Sequence, residues 1–123
     1  MKIISTTPIS FGYKNILKTY FLKDKLPSVT KGFYGGELTK NNVTLEHLLP
    51  TSKKGITKLG NLVLSKDVNN WNRGNRPLIQ FYDPDIFKAY CKQFEGVKLP
   101  FFNGDDYVKQ ITNTVERLLK QGK

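Results

Sequence analysis

The chain is poor in several residue types that would otherwise decide its chemistry, with one cysteine, one histidine and one tryptophan. The single Cys91 excludes an intramolecular disulfide and a zinc site built from several cysteines, so no structural zinc is expected. No apolar run approaches the roughly 20 residues of a membrane span. The N-terminal residues also lack the sustained apolar stretch of a signal peptide. We therefore expect a soluble, cytoplasmic protein without a membrane partner.

Acidic residues are also scarce, since 10 Asp and Glu face 20 Lys and Arg in 123 residues, for a net charge of +10. This imbalance favours a polyanionic partner, with nucleic acid ahead of an anionic membrane surface. The length indicates one domain over residues 1–123, and the 38% hydrophobic content indicates a folded one.

The centre of the chain has the pattern of two short strands followed by a helix. Residues 43–49 are β-branched or apolar enough for a strand, and residues 50–60 are predicted to be an exposed loop. A second strand is predicted over residues 62–64. Ser65 is then a candidate N-cap for a helix that Gly74 ends.

Helices are predicted on both sides of this centre, which makes the expected fold class α+β. The first covers residues 11–22, and two more follow Pro77. Apolar residues recur at helical spacing in the last two, with Asp105 and Asp106 at the start of the final one. Their apolar faces are Ile86, Phe87, Tyr90, Cys91 and Phe94, then Tyr107, Ile111, Val115, Leu118 and Leu119.

The central segment also holds the residues that can carry chemistry. His47, the only histidine, follows Glu46, and Asn61 and Asn70 come later at the start of the second strand and in the helix. A histidine can take a proton from water near neutral pH. Carboxylate and amide oxygens are ligands for hard cations such as Mg²⁺. A base beside a metal ion is what phosphodiester hydrolysis requires.

Residues 43–76 resemble the HNH endonucleases, which belong to the group with a ββα-metal, or His-Me, finger. The resemblance rests on Glu46-His47-Leu48-Leu49-Pro50, Asn61-Leu62-Val63-Leu64, Asn70 and Arg73-Gly74. It implies a ββα-metal finger braced by helical flanks over residues 1–42 and 77–123. It also implies a metal-dependent nuclease of the small phage or mobile-element type, acting in a bacterial or phage-infected cell.

The resemblance implies a role for each matching position. His47 is the expected general base, and Asn61 fixes the loop and helps to orient it. Glu46 and Asn70 are the expected ligands of one divalent ion, Mg²⁺ or alternatively Mn²⁺. Asn69 and Asn72 are open alternatives to Asn70.

Three departures from the family pattern matter. Lys53-Lys54-Gly55 stand where a glycine pair is common, which adds charge near the phosphate path. Glu46 stands where an aspartate is more usual, and its extra methylene moves the carboxylate. The cysteine pairs that often bind zinc in the family are missing, so packing must hold the finger.

Basic residues surround the motif and are expected to contact the phosphate backbone. Trp71 and Phe81 are expected to be buried rather than stacked on bases. The basic set is Lys53, Lys54, Lys58, Arg73 and Arg76.

The sequence therefore predicts an HNH endonuclease or nickase that hydrolyses DNA, with a homodimer needed if it cuts both strands. Two alternatives stay open: a nucleic-acid-binding module without turnover, and a phage-type protein-interaction factor that retains the finger. The choice between DNA and RNA is also open.

Overall fold

The computed structural model describes residues 16–123, which form four α-helices and two small antiparallel sheets, so the α+β class is confirmed. The first sheet and its helix occupy the centre of the sequence, as predicted. The predicted helix over residues 11–22 begins outside the described residues, and its described part is helical. The elements are α1 (Ile16–Leu22), β1 (Val43–His47), β2 (Leu62–Lys66), α2 (Asp67–Arg73), α3 (Pro84–Lys92), β3 (Lys98–Leu99), β4 (Phe102–Asn103) and α4 (Gly104–Gln121).

Strands β1 and β2 pair antiparallel, from Val43 opposite Lys66 to His47 opposite Leu62. Strand β2 is therefore two residues longer than predicted, and the prediction of Ser65 as a helix N-cap is wrong. Ser65 is buried in the strand, where its carbonyl accepts a hydrogen bond from the Thr44 hydroxyl at 3.1 Å. The ladder with β1 outweighs the local capping preference, and α2 begins at Asp67 instead.

The connection between the two strands is largely exposed, as predicted. It contains two short 3₁₀ turns, Thr51–Lys53 and Leu59–Asn61. Gly55 packs so closely that an added Cβ would lie 1.7 Å from the carbonyl oxygen of Leu49. Any side chain at position 55 would therefore force the connection apart.

Helix α2 lies against the hairpin and ends where predicted. Gly74 follows it with a φ of +53°, and its N–H bonds to the Asn70 carbonyl at 3.1 Å. The left-handed φ is one that a glycine adopts without steric cost.

Helices α3 and α4 supply the core that supports the hairpin. Tyr90, Phe94, Tyr107 and Ile111 are fully buried between them. Cys91 is only half-buried, and burial raises the pKa of its thiol to about 11, consistent with a packing role. The small β3–β4 hairpin between these helices was not predicted. No helix within residues 16–123 is both long and apolar enough to cross a membrane.

Candidate active site

His47 is the last residue of β1, and its imidazole is partly exposed at the end of the hairpin where the connection to β2 begins. Its Nε2 atom lies 2.9 Å from the Thr57 hydroxyl, in the connection between the strands. Partial burial lowers the pKa of His47 below its ordinary value of 6.5. The imidazole is therefore mostly neutral at pH 7, which is the form that accepts a proton.

Asn61 is buried and ties the two ends of the connection together. Its Oδ1 atom accepts a hydrogen bond from the Leu49 N–H at 2.8 Å. Its Nδ2 atom donates to the carbonyls of Leu49 at 3.1 Å and Ile56 at 2.8 Å. The Ile56 contact fixes the residue next to Thr57, so Asn61 acts on His47 through the loop and does not touch it.

Glu46 points to the opposite face of β1 from His47, as adjacent strand residues do. Its side chain is buried against α2, where Oε2 accepts hydrogen bonds from the Tyr34 hydroxyl and from Arg73 Nη1. The Arg73 contact is an ion pair of 3.3 Å in which both side chains are almost fully buried. Glu46, Arg73 and Tyr34 form a closed interior cluster, which we call the Glu46 cluster.

The Glu46 cluster has two polar atoms without partners, Glu46 Oε1 and Arg73 Nη2. Burial raises the pKa of Glu46 to about 7, while the Tyr34 hydroxyl and the Arg73 guanidinium oppose that rise. Arg73 also lies 3.5 Å from the His47 carbonyl and bonds to the Arg76 carbonyl at 3.0 Å. It therefore holds the end of β1 against the end of α2.

Asn70 lies one helical turn before Arg73 and faces Thr44 rather than Glu46. Its Nδ2 atom donates to the Thr44 hydroxyl at 3.2 Å. The spacing explains this outcome, because positions 70 and 73 on one helix face meet positions 44 and 46 on one strand face. Of the two reserve candidates, Asn69 donates weakly to the Gly35 carbonyl at 3.4 Å, and Asn72 is exposed.

As arranged, Glu46 and Asn70 do not offer a site that fits a divalent ion. Glu46 Oε2 is held by Arg73 and by the Tyr34 hydroxyl, and the Asn70 amide is held by Thr44. The other oxygen of Glu46, Oε1, is buried, whereas Mg²⁺ usually keeps several waters.

The predicted phosphate contacts divide into surface and interior residues. Lys54, Lys58 and Arg76 are exposed, and Lys53 is partly exposed. The Arg76 guanidinium lies over the ring of Phe81, 4.7 Å from its centroid. Arg73 is fully buried in the Glu46 cluster, so in this arrangement it reaches no phosphate.

Trp71 departs most from the sequence-based expectation, since it is 88% exposed. It projects from α2 beside Asn70, above a concavity that Thr44, Val68 and Gly74 also line. Phe81 is partly buried beneath Arg76, which agrees better with the prediction. Trp71 presents a free aromatic face on the exposed side of α2.

Two residues of the site, Thr57 and Tyr34, were missed by sequence reasoning. Thr57 is one of several polar residues in the connection, and no spacing distinguishes it. Tyr34 sits between Phe33 and Gly35 in a glycine-rich turn. Neither residue carries a local signal, because both are brought to the site by the tertiary fold.

No family model, curated protein or solved structure matches this chain.

Proposed function

We propose that this chain is an HNH-type endonuclease or nickase that hydrolyses DNA, with His47 as the general base. The observation that carries the proposal is the setting of His47. A partly exposed, mostly neutral imidazole ends β1 and bonds to Thr57, in a loop that Asn61 holds in place. The order of hairpin and helix around it supports the ββα finger that the sequence resemblance implies.

The proposed reaction starts with a water molecule beside the imidazole of His47. The imidazole takes a proton from the water as its oxygen attacks the phosphorus, which raises the negative charge on the phosphate oxygens. The exposed Lys54 and Lys58 are placed in the same loop to offset that charge. The P–O bond to the 3′ oxygen then breaks, and a proton from solvent leaves a 3′-hydroxyl and a 5′-phosphate.

A divalent ion at Glu46 and Asn70, Mg²⁺ or Mn²⁺, stays a separate proposal taken from the resemblance. It requires a rearrangement that opens the buried Oε1 of Glu46 to solvent, and no step above passes through it. Trp71 supports a nucleic-acid substrate in a different way, because an exposed aromatic ring can stack on a base.

The test is a supercoiled-plasmid assay of wild type and His47→Ala, each with Mg²⁺, with Mn²⁺ and with EDTA. The matched control is Gln121→Ala, an exposed substitution in the last turn of α4. We expect nicked plasmid from wild type and the control, and a rate at least about 100-fold lower for His47→Ala, the usual contribution of a general base. Equal cleavage by His47→Ala would remove that residue from the mechanism.

The form of the product addresses the number of strands cut. One finger cuts one strand at a time, so nicked circles should accumulate before linear DNA. Linear DNA formed without a nicked intermediate would favour a homodimer.

The second candidate is a nucleic-acid-binding module without turnover. The closed Glu46 cluster favours it, because the expected metal ligand is engaged by Arg73. Plasmid binding that weakens steeply with salt, without cleavage in either metal, would support this candidate. Multiple turnovers would exclude it.

A further inference from the structure

A groove of about 450 Å³ runs between α4 and the connection that joins β1 to β2. Its walls include the cationic side chains of Lys54, Lys58 and Arg117 and the side-chain amides of Gln110 and Asn113. All five are exposed. The groove therefore presents hydrogen-bond donors and positive charge together, within reach of solvent.

The spacing along α4 builds one wall of this groove. Positions 110, 113 and 117 fall on one helix face, together with Thr114. The Thr114 hydroxyl donates to the Gly60 carbonyl at 2.7 Å, which docks that face onto the connection. Gly60 allows this approach, because an added Cβ would lie 3.1 Å from the Cβ of Gln110. The groove is thus fixed by packing rather than by mobile side chains alone.

The charge of the groove is not balanced within it. No carboxylate lines it, and none of its three cations forms an ion pair with another described residue. The nearest acid in sequence, Glu116, is exposed on α4 but does not line the groove. Three unmatched cations converging on one concavity are suited to a polyanion.

The groove and His47 share the same short loop. Thr57 bonds to His47, and its neighbours Ile56 and Lys58 line the groove. Asn61 also lines the groove and holds the Ile56 carbonyl. A chain of phosphates that passes His47 can therefore continue into the groove without crossing another element.

We propose that this groove binds the sugar-phosphate backbone of the nucleic-acid strand beside the bond that is cut. Lys54, Lys58 and Arg117 contact phosphates, while Gln110 and Asn113 donate hydrogen bonds to phosphate or sugar oxygens. This inference rests on the proposed function, since it assumes a nucleic-acid substrate at His47. It adds a contribution from α4, which lies outside residues 43–76.

The test measures binding, not cleavage, so that the groove and the hydrolysis are judged separately. Fluorescence anisotropy with labelled single- and double-stranded oligonucleotides is recorded in EDTA between about 50 and 200 mM salt. The proteins are wild type, Lys58→Gln/Arg117→Gln, and His47→Ala. The matched control is Lys109→Gln, which removes one positive charge from α4 outside the groove. Urea unfolding midpoints confirm that each variant is folded.

We expect the double variant to bind about tenfold or more weakly at 100 mM salt. Its slope of log K against log salt should fall by about 2, one for each lost phosphate contact. Lys109→Gln should change affinity by less than about twofold, and His47→Ala should bind like wild type. If Lys109→Gln weakened binding half as much as the double variant, net charge alone would explain the affinity. That result would overturn the proposed role of the groove.

The outcomes separate the two proposals. If wild type and the double variant bind equally while wild type cleaves plasmid, the proposed role of the groove is wrong and the proposed nuclease activity is supported. If the double variant binds weakly and no protein cleaves plasmid, binding of nucleic acid in the groove is supported and the proposed hydrolysis is wrong. Absence of binding by wild type at low salt would overturn both.

Discussion

At the residue scale, the protonation state of His47 governs when it can act as a base. Partial burial disfavours the charged imidazolium and lowers the pKa of His47 below 6.5. If His47 is the base, the cleavage rate should rise with pH as the imidazole becomes neutral, with the midpoint of the rise below pH 6.5, and then level off. Initial rates on plasmid from pH 4.5 to 8 measure this.

The control for this profile is oligonucleotide binding at each pH, since a change in affinity would mimic a change in rate. Rates are therefore taken at saturating protein. A midpoint above pH 6.5 would contradict a His47 base with a lowered pKa.

Glu46 also titrates in this pH range, and its titration makes the folded protein less stable as the pH rises. Its pKa is about 7 in the folded protein and 4.5 is its ordinary value, so the folded state binds the extra proton between these limits. Stability from this group is full below pH 4.5 and is lost as pH rises toward 7. Relative to Glu46→Gln, the free energy of unfolding of wild type should fall by roughly 3 kcal/mol at most between pH 4.5 and pH 7.

Urea unfolding of both proteins at pH 4.5, 6 and 7.5 measures this difference. The glutamine has nearly the same shape and can accept from Tyr34 and Arg73, so the comparison isolates the proton. The titration of His47 is common to both proteins and cancels. A stability difference that does not vary with pH would show that Glu46 stays ionised throughout.

At the scale of elements, the connection between β1 and β2 depends on the side chain of Asn61. Three hydrogen bonds, to backbone groups of Leu49 and Ile56, are lost in Asn61→Ala. At about 1 kcal/mol each, the variant should be less stable by roughly 2–3 kcal/mol. Its cleavage rate should also fall, because Thr57 and hence His47 lose their support.

Chemical denaturation and the plasmid assay together check this prediction. Asn75→Ala is the matched control, since Asn75 is exposed just beyond α2, and it should change stability by less than about 0.5 kcal/mol. If Asn61→Ala were as stable as wild type, the Asn61 side chain would not be needed to hold the connection between β1 and β2.

The order of β1, β2 and α2 could be predicted because it depends on local patterns. The strands follow from short apolar runs, and the helix end follows from Gly74. The partners within the site could not be predicted in the same way. Burial of Arg73 depends on its register against Glu46, and nothing within α2 distinguishes it from a surface cation.

The same limit explains Trp71 and Ser65. A large aromatic residue in a helix is usually buried, but α2 is short and turns only one face to the hairpin. Ser65 has the chemistry of an N-cap, yet pairing with Thr44 keeps it in the strand. In both cases tertiary contacts outweigh the local preference.

At the scale of the whole molecule, the hairpin is held by side chains from distant helices. The Tyr107 hydroxyl donates to the Leu62 carbonyl at 2.7 Å and lies 2.9 Å from the Tyr90 hydroxyl. The Tyr90 hydroxyl in turn accepts from the Leu64 N–H at 3.0 Å. Since Tyr107 donates to Leu62, Tyr90 donates to Tyr107, and the chain of bonds begins and ends on β2.

This chain of hydrogen bonds makes the stability of the hairpin depend on α3 and α4 together. Tyr107→Phe and Tyr90→Phe each remove two hydrogen bonds within a fully buried region, and each should cost about 1–3 kcal/mol. Because the bond between the two hydroxyls is common to both losses, the double variant should cost less than their sum. A double-mutant cycle of urea unfolding measures the difference.

The control is Tyr82→Phe, because Tyr82 is partly buried and its hydroxyl makes no hydrogen bond within residues 16–123. This variant should have nearly the stability of wild type. Strict additivity of the two core variants would mean that the hydroxyls act separately, and that α3 and α4 hold β2 by apolar packing alone.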